Sequence, residues 1–176
     1  MAFQAHKDQR VAVFIDIQNL YHSAKNLYGA RVSYNDLMKH LLAGRKLVRA
    51  LAYVVKSDPA TGEDVFFEAL HKAGIELRIK DIQIFPGGEK KADWDVGLAV
   101  DAIRMANMVD TVIIVSGDGD FIPLVEYLKW GLGRNVEVAA FGRTSSGKLR
   151  EAADNFSDLE SMQGVIFKVI RRNKNK

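Results

Sequence analysis

The stretch Val112-Ile113-Ile114-Val115-Ser116-Gly117-Asp118-Gly119-Asp120-Phe121 decides the reading of this chain. Its first four residues are β-branched and apolar without interruption, the pattern of a strand buried on both faces. The run stops at Ser-Gly-Asp-Gly-Asp. Two carboxylates one residue apart, between glycines at a strand end, repel each other and either raise each other's pKa or recruit a cation. The same plan occurs earlier: Val11-Ala12-Val13-Phe14-Ile15 forms an apolar run, closed by Asp16 and followed by Ile17-Gln18-Asn19.

Outward from these two strands, the chain alternates strand and helix. Residues 19–27 carry Leu20, Ala24 and Leu27 at near-helical spacing and stop at Gly29. Ser33 caps a second helix, with Asp36 three residues on and Leu37, Leu41 and Leu42 as its apolar stripe. Residues 47–55 read as the second strand, 57–62 as a turn, 65–72 as a helix and 75–79 as the third strand. Residues 82–85 read as a short extension and 86–91 as a loop bearing glycine and lysine. A helix over 93–105, the fourth strand 111–115, a helix over 121–130, the fifth strand 136–141, a short helix over 148–153 and an edge segment 156–159 complete the body.

This alternation predicts an α/β fold with a mainly parallel sheet and right-handed crossovers. The doubly wound order 3-2-1-4-5 sets strands 1 and 4 side by side at the switch point, where ligands bind beyond the carboxyl ends of the strands. Those two strands end in Asp16 and in Asp118 and Asp120. We expect residues 1–10 to be a lead-in, 11–162 to be one domain and 163–176 to be a basic tail carrying Lys168, Arg171, Arg172, Lys174 and Lys176.

A third side of the site is expected from the helix that follows the lysine loop. Asp95 precedes Leu98, Ala99 and Ala102 at i+3, i+4 and i+7, which places it on an apolar face, where a carboxylate needs a partner or a metal. Asp93 and Asp95 also suit the positive end of a helix dipole. Asp101, six residues on and about 120° around the helix, is the weaker ligand candidate. Each single residue also has an ordinary reading. Asp16 serves equally as a helix N-cap, Asp120 as a cap for the helix near Phe121, and Asn19 as a solvent-facing side chain. Three or four carboxylates without His or Cys select Mg²⁺ or Mn²⁺, cations that activate water and hold phosphate oxygens for in-line displacement.

Composition narrows the classes. The 176 residues contain no cysteine, which excludes disulfides, thiolate metal sites and cysteine nucleophiles. No apolar run is long enough to span a bilayer, and the polar first ten residues do not read as a signal peptide, so a cytoplasmic location and no membrane partner are expected. His6, His22, His40 and His71 are scattered, and there is no P-loop or Ser-His-Asp arrangement. Net charge is +3. With four acids gathered in one site the rest of the molecule is more basic still, which suits a polyanionic substrate. Lys90, Lys91, Arg143 and Lys148 fall in loops or helix starts at the carboxyl end of the sheet, where phosphate contacts are needed.

The segments Phe14-Ile15-Asp16-Ile17-Gln18-Asn19-Leu20, Lys91-Ala92-Asp93-Trp94-Asp95-Val96-Gly97-Leu98-Ala99-Val100-Asp101 and Val115-Ser116-Gly117-Asp118-Gly119-Asp120-Phe121 resemble the NYN domain, in its bacterial LabA-like group within the PIN-like nuclease superfamily. The resemblance spans about residues 11–159. It implies a PIN-like three-layer α/β/α sandwich with a five- or six-stranded sheet, and a Mg²⁺- or Mn²⁺-dependent ribonuclease acting on single-stranded RNA. It places the family acids on Asp16, Asp95, Asp118 and Asp120, with a second helix acid on Asp101. Asn19 and the small residue Ser116 would orient phosphate or water, Ser116 being grouped with Lys90, Lys91, Arg143 and Lys148 as a nucleic-acid contact. The chain departs from the family's Lys-Gly-Val-Asp at Ala92-Asp93-Trp94-Asp95. A catalytically weak RNA-binding or regulatory module and a small-molecule phosphatase are the rival readings, and homo-oligomerisation is left open.

Overall fold

The structure is a computed structural model that describes residues 5–56, 63–84, 86–88, 90–91 and 93–168. Among these, β1 (Arg10–Asp16), β3 (Lys46–Lys56), β4 (Glu76–Asp81), β7 (Thr111–Val115), β8 (Asn135–Ala140) and β9 (Asn155–Asp158) form one parallel sheet in the order β4-β3-β1-β7-β8-β9. This is the predicted 3-2-1-4-5 arrangement with the 156–159 segment added as a sixth strand. The two central strands are fully apolar because both faces are covered: Val11 through Ile15 and Val112 through Val115 have no exposed surface.

Helices lie on both faces. Val11, Val13 and Ile15 pack with α1 (Ile17–Tyr28), α2 (Tyr34–Leu42) and α3 (Glu63–Lys72). The alternate residues Ala12 and Phe14 pack with α4 (Asp95–Ala106), α5 (Ile122–Glu126) and α6 (Gly147–Ala152). The period of two along each strand therefore sorts one apolar run into two cores. The result is the three-layer α/β/α sandwich of a PIN-like fold.

Ser33 caps α2, accepting the Asp36 N–H as expected. Three expectations change. Residues 82–85 do not extend the main sheet: β5 (Gln83–Ile84) turns back in an antiparallel hairpin with β6 (Lys90–Lys91). The helix expected over 121–130 is divided into a 3₁₀ turn at Gly119–Phe121, α5, and a wide π turn at Tyr127–Gly131. There the Leu132 N–H reaches the Tyr127 carbonyl, and the Tyr127 ring lies against Gly131. Finally, the chain stays on the domain beyond 162. Val165 is buried, and β10 (Ile166–Phe167) pairs antiparallel with β2 (Arg31–Val32), so residues 165–167 complete the body instead of starting a tail. The expected turn at 57–62, Phe85, and the tail residues Arg171, Arg172, Lys174 and Lys176 lie outside the described residues.

A buried ion pair stiffens the opposite end of the sheet. Arg45 donates to both Glu137 oxygens, at 2.6 and 3.0 Å, and to the Leu41 carbonyl. It lies away from the strand ends that carry the acids of the sequence motifs.

Candidate metal centre

Parallel pairing brings the acids together. Ile15 is level with Val115, so Asp16 and Ser116 leave neighbouring strands at the same height. The chain then departs in opposite directions, through α1 toward β3 and through α5 toward β8, which opens the cleft at the switch point.

Asp16 serves as both cap and site residue. Its Oδ1 accepts the Asn19 N–H at 3.1 Å, closing the first turn of α1, and its Oδ2 accepts the Ser116 hydroxyl at 3.0 Å. The same Ser116 oxygen accepts the Asp118 N–H at 3.2 Å. The Asn19 side-chain oxygen accepts the Gly117 N–H at 2.9 Å. A Cβ on Gly117 would stand 2.9 Å from the Ser145 Cα, so only glycine lets the Ser145–Ser146 backbone close over the loop. Ser116, expected as a contact for nucleic acid, is fully buried in the floor of the site. Asn19 likewise fastens the loop through its side-chain oxygen.

The capping role falls on Asp118 and not on Asp120. Asp118 Oδ1 accepts the Asp120 N–H at 3.0 Å and starts the 3₁₀ turn, while Asp120 is exposed on that turn. The reason is spacing: an Asp side chain reaches the N–H two residues ahead, and the turn begins at Gly119, not at Phe121.

Asp95 stands at the first position of α4. That helix starts two residues later than expected, with Trp94 as its N-cap residue and Asp93 outside it. Trp94 sets the entry angle. Its indole N–H donates to the Val54 carbonyl at 2.9 Å, its ring meets Tyr53 edge-on with centroids 5.5 Å apart, and the Lys80 ammonium lies over the ring, 5.6 Å from its centroid. The ring is so close to the helix that a Cβ on Gly97 would come within 2.6 Å of it.

Asp95, Asp118 and Asp120 each offer a carboxylate oxygen, and these oxygens lie within 4.8 Å of one another. Burial and the neighbouring carboxylates, Asp16 first among them and then Asp118, Asp93 and Asp120, push the Asp95 carboxyl up to about 6. Burial also raises Asp16, against the hydrogen bonds from Asn19 and Ser116 that lower it. A group of oxygen ligands that strain one another in this way fits a hard divalent cation. Asp95, Asp118 and Asp120 would hold it; Asp16, expected as a fourth ligand, is not among the carboxylates gathered within that distance, its two oxygens being taken up by the Asn19 N–H and the Ser116 hydroxyl.

Asp101 is not part of this group. It accepts the Tyr53 hydroxyl at 3.0 Å and lies 3.4 Å from Arg78, further down α4. Arg143 is tied to Glu160 at 3.0 Å and to the Tyr28 hydroxyl. Lys148 is exposed on the first turn of α6. Lys90 and Lys91 belong to the hairpin strand β6, and their side chains lie outside the described residues. The positioning roles of Tyr53 and Trp94 escaped the sequence reading. The only signals were an aromatic on the inward-facing phase of its strand and a tryptophan beside a helix-start aspartate.

The family model described as NYN domain matches residues 10–160. The low amplitude and bright protein LabA of Synechococcus elongatus is 27% identical, over 95% of this chain and 92% of that protein. A crystal structure of a Vibrio parahaemolyticus protein, described as of unknown function, superposes with a TM-score of 0.83 and 33% identity, covering 94% of this chain and 100% of that one. Among the described residues no helix is long and apolar enough to cross a membrane.

Proposed function

Because the chain belongs to the NYN domain family, within the PIN-like superfamily and related to LabA, we propose that it is a divalent-metal-dependent ribonuclease, hydrolysing RNA phosphodiester bonds at the carboxyl ends of β1 and β7. The observation that carries this reading is the convergence of Asp95, Asp118 and Asp120 from two separate elements onto one point. A structural turn needs one capping aspartate, and Asp118 alone supplies it. Neither of the other two carboxylates is a helix cap.

The chain's own residues divide the work. Asp95, Asp118 and Asp120 provide the hard oxygen ligands for Mg²⁺ or Mn²⁺. A cation there supplies Lewis-acid stabilisation of phosphate charge and a lowered pKa for attacking water. Ser116 and the Asn19 N–H hold both oxygens of Asp16, so its carboxylate keeps one orientation. The Asn19 side chain and the Ser145–Ser146 backbone hold the Gly117 loop, and with it the direction of Asp118. Lys148, exposed on the first turn of α6 near the same end of the sheet, would be free to meet substrate phosphate.

The test is cleavage of single-stranded RNA with Mn²⁺ and with EDTA, by the wild type and Asp118→Asn. Asparagine retains an oxygen for the Asp120 N–H, so the fold is kept and only the charge is lost. We expect Mn²⁺-dependent cleavage by the wild type and at least a hundredfold loss in the variant, on the order of the contribution of one electrostatic stabiliser. Equal cleavage by both proteins overturns the assignment. RNA binding without turnover would leave an RNA-binding module in its place.

A further inference from the structure

A second cluster of charge lies on the same face of the sheet. Asp101 is six residues beyond Asp95, about 9 Å along α4. Beside it a cavity of ≈ 270 Å³ opens between α4 and the strands β3 and β4, lined by Arg49, Arg78, Arg104, Asp101, Met105 and Met108 among others. Three guanidinium groups gathered at one cavity repel each other unless anions balance them.

The protein balances two. Arg49 is held in a two-bond fork by Glu76, and Arg78 lies 3.4 Å from Asp101. Asp101 is itself fixed by the Tyr53 hydroxyl. Arg104 has no ion pair or hydrogen bond among the described residues. One positive charge is left over, and two of the three guanidinium groups are already oriented, so little side-chain freedom remains to be lost on binding. Guanidinium groups match phosphate oxygens in fork geometry, while the two methionines give a soft, polarisable wall suited to a flat ring.

We propose that this cavity binds a phosphate-bearing nucleotide unit, and specifically one nucleotide of the RNA strand whose scissile phosphate lies at the aspartate cluster. The inference rests on the ribonuclease reading and extends it: the substrate contact area runs from the strand ends down α4, past Asp101. Tyr53 joins the two places, since it is level with Asp16 on the neighbouring strand and bonded to Asp101.

The experiment uses the full chain carrying Asp118→Asn to block turnover, with Mg²⁺ and a fluorescein-labelled twelve-residue single-stranded RNA, read by anisotropy over a salt series. Arg104→Ala in that background should weaken RNA binding about tenfold, the loss of one charge-assisted contact, and reduce the slope of log affinity against log salt by about 0.7. Arg31→Ala, which removes an exposed arginine of the short strand β2, should change neither. Millimolar adenosine monophosphate, as a competitor, should fail to displace the RNA. RNA binding that Arg104→Ala leaves unchanged overturns the cavity while the ribonuclease reading stands. Binding of adenosine monophosphate that depends on Arg104, with RNA affinity insensitive to it, overturns the proposal in favour of a free nucleotide. No RNA binding by any form removes the ribonuclease reading and this inference with it.

Discussion

The buried hydroxyl of Ser116 donates to Asp16 Oδ2 at 3.0 Å. The same oxygen accepts the Asp118 N–H at 3.2 Å, so a single atom couples the ends of β1 and β7. Two carboxylates on adjacent strands would otherwise be free to rotate apart. Here their geometry is set by a side chain with no exposed surface.

Ser116→Ala should therefore act on stability and on the site together. It leaves the Asp118 N–H without its partner and removes one donor from Asp16. The expected loss is about 1–3 kcal/mol, measured by urea denaturation, accompanied by weaker Mn²⁺ binding in calorimetry. An alanine variant as stable as the wild type would show that the hydroxyl is incidental.

The raised Asp95 carboxyl predicts opposite pH responses with and without metal. Its pKa in the fold, about 6, lies above the ordinary 3.8. Between those values the folded chain binds more protons than the unfolded one. The contribution of this group to stability is then full below 3.8 and lost as pH rises through 6. A cation needs the ionised carboxylate, so its affinity should rise over the same range and level off above it. Thermal unfolding should show a larger Mn²⁺-induced rise in Tm at pH 7.5 than at pH 5. An equal rise at both pH values contradicts this account.

Trp94 and Gly97 form a matched pair. Gly97→Ala would place a methyl group 2.6 Å from the indole ring. The helix gains about 1 kcal/mol from alanine, but the clash costs about 1–3 kcal/mol, and the net effect should be destabilising. In a Trp94→Val background the clash disappears, and the same Gly97→Ala change should become neutral or stabilising. A double-mutant cycle with no coupling would mean that the ring simply moves aside.

Glu137→Ala should cost about 3–5 kcal/mol, because it removes one partner of a buried pair and leaves the Arg45 charge poorly compensated. The pair lies at the other end of the sheet from the aspartates. Mn²⁺ affinity of the folded variant should match the wild type, which isothermal titration below its unfolding temperature can check.

How much of this was legible beforehand varies with the kind of residue. The apolar runs 11–15 and 112–115 were clear because burial on both faces leaves no polar residue to blur the pattern. Their adjacency followed from the handedness and order rules for parallel sheets. The inward phase of Asp95 followed from Leu98 and Ala102 at helical spacing. The broken helix over 121–131 was not legible, since its apolar positions fit an ordinary helix and the wide turn arises where Tyr127 packs on Gly131. The hairpin of β5 and β6 was hidden for a similar reason: two short strands carry too few residues to declare a partner.

By itself, then, the sequence determined the mainly parallel sheet, its strand order and which acids stand at the switch point. These depend on local periodicity and on connection rules that any chain obeys. Only the tertiary structure decided the division of roles: Ser116 and Asn19 turned inward, Asp118 rather than Asp120 as the cap, and Asp101 drawn to Tyr53 and Arg78, away from the aspartate cluster. Tyr53 and Asp101 are 48 residues apart in the chain. Their contact depends on the register of β3 and the rotation of α4 about its own axis. Periodicity states which face of an element is apolar; packing against a particular neighbour sets where each polar atom on that element comes to rest.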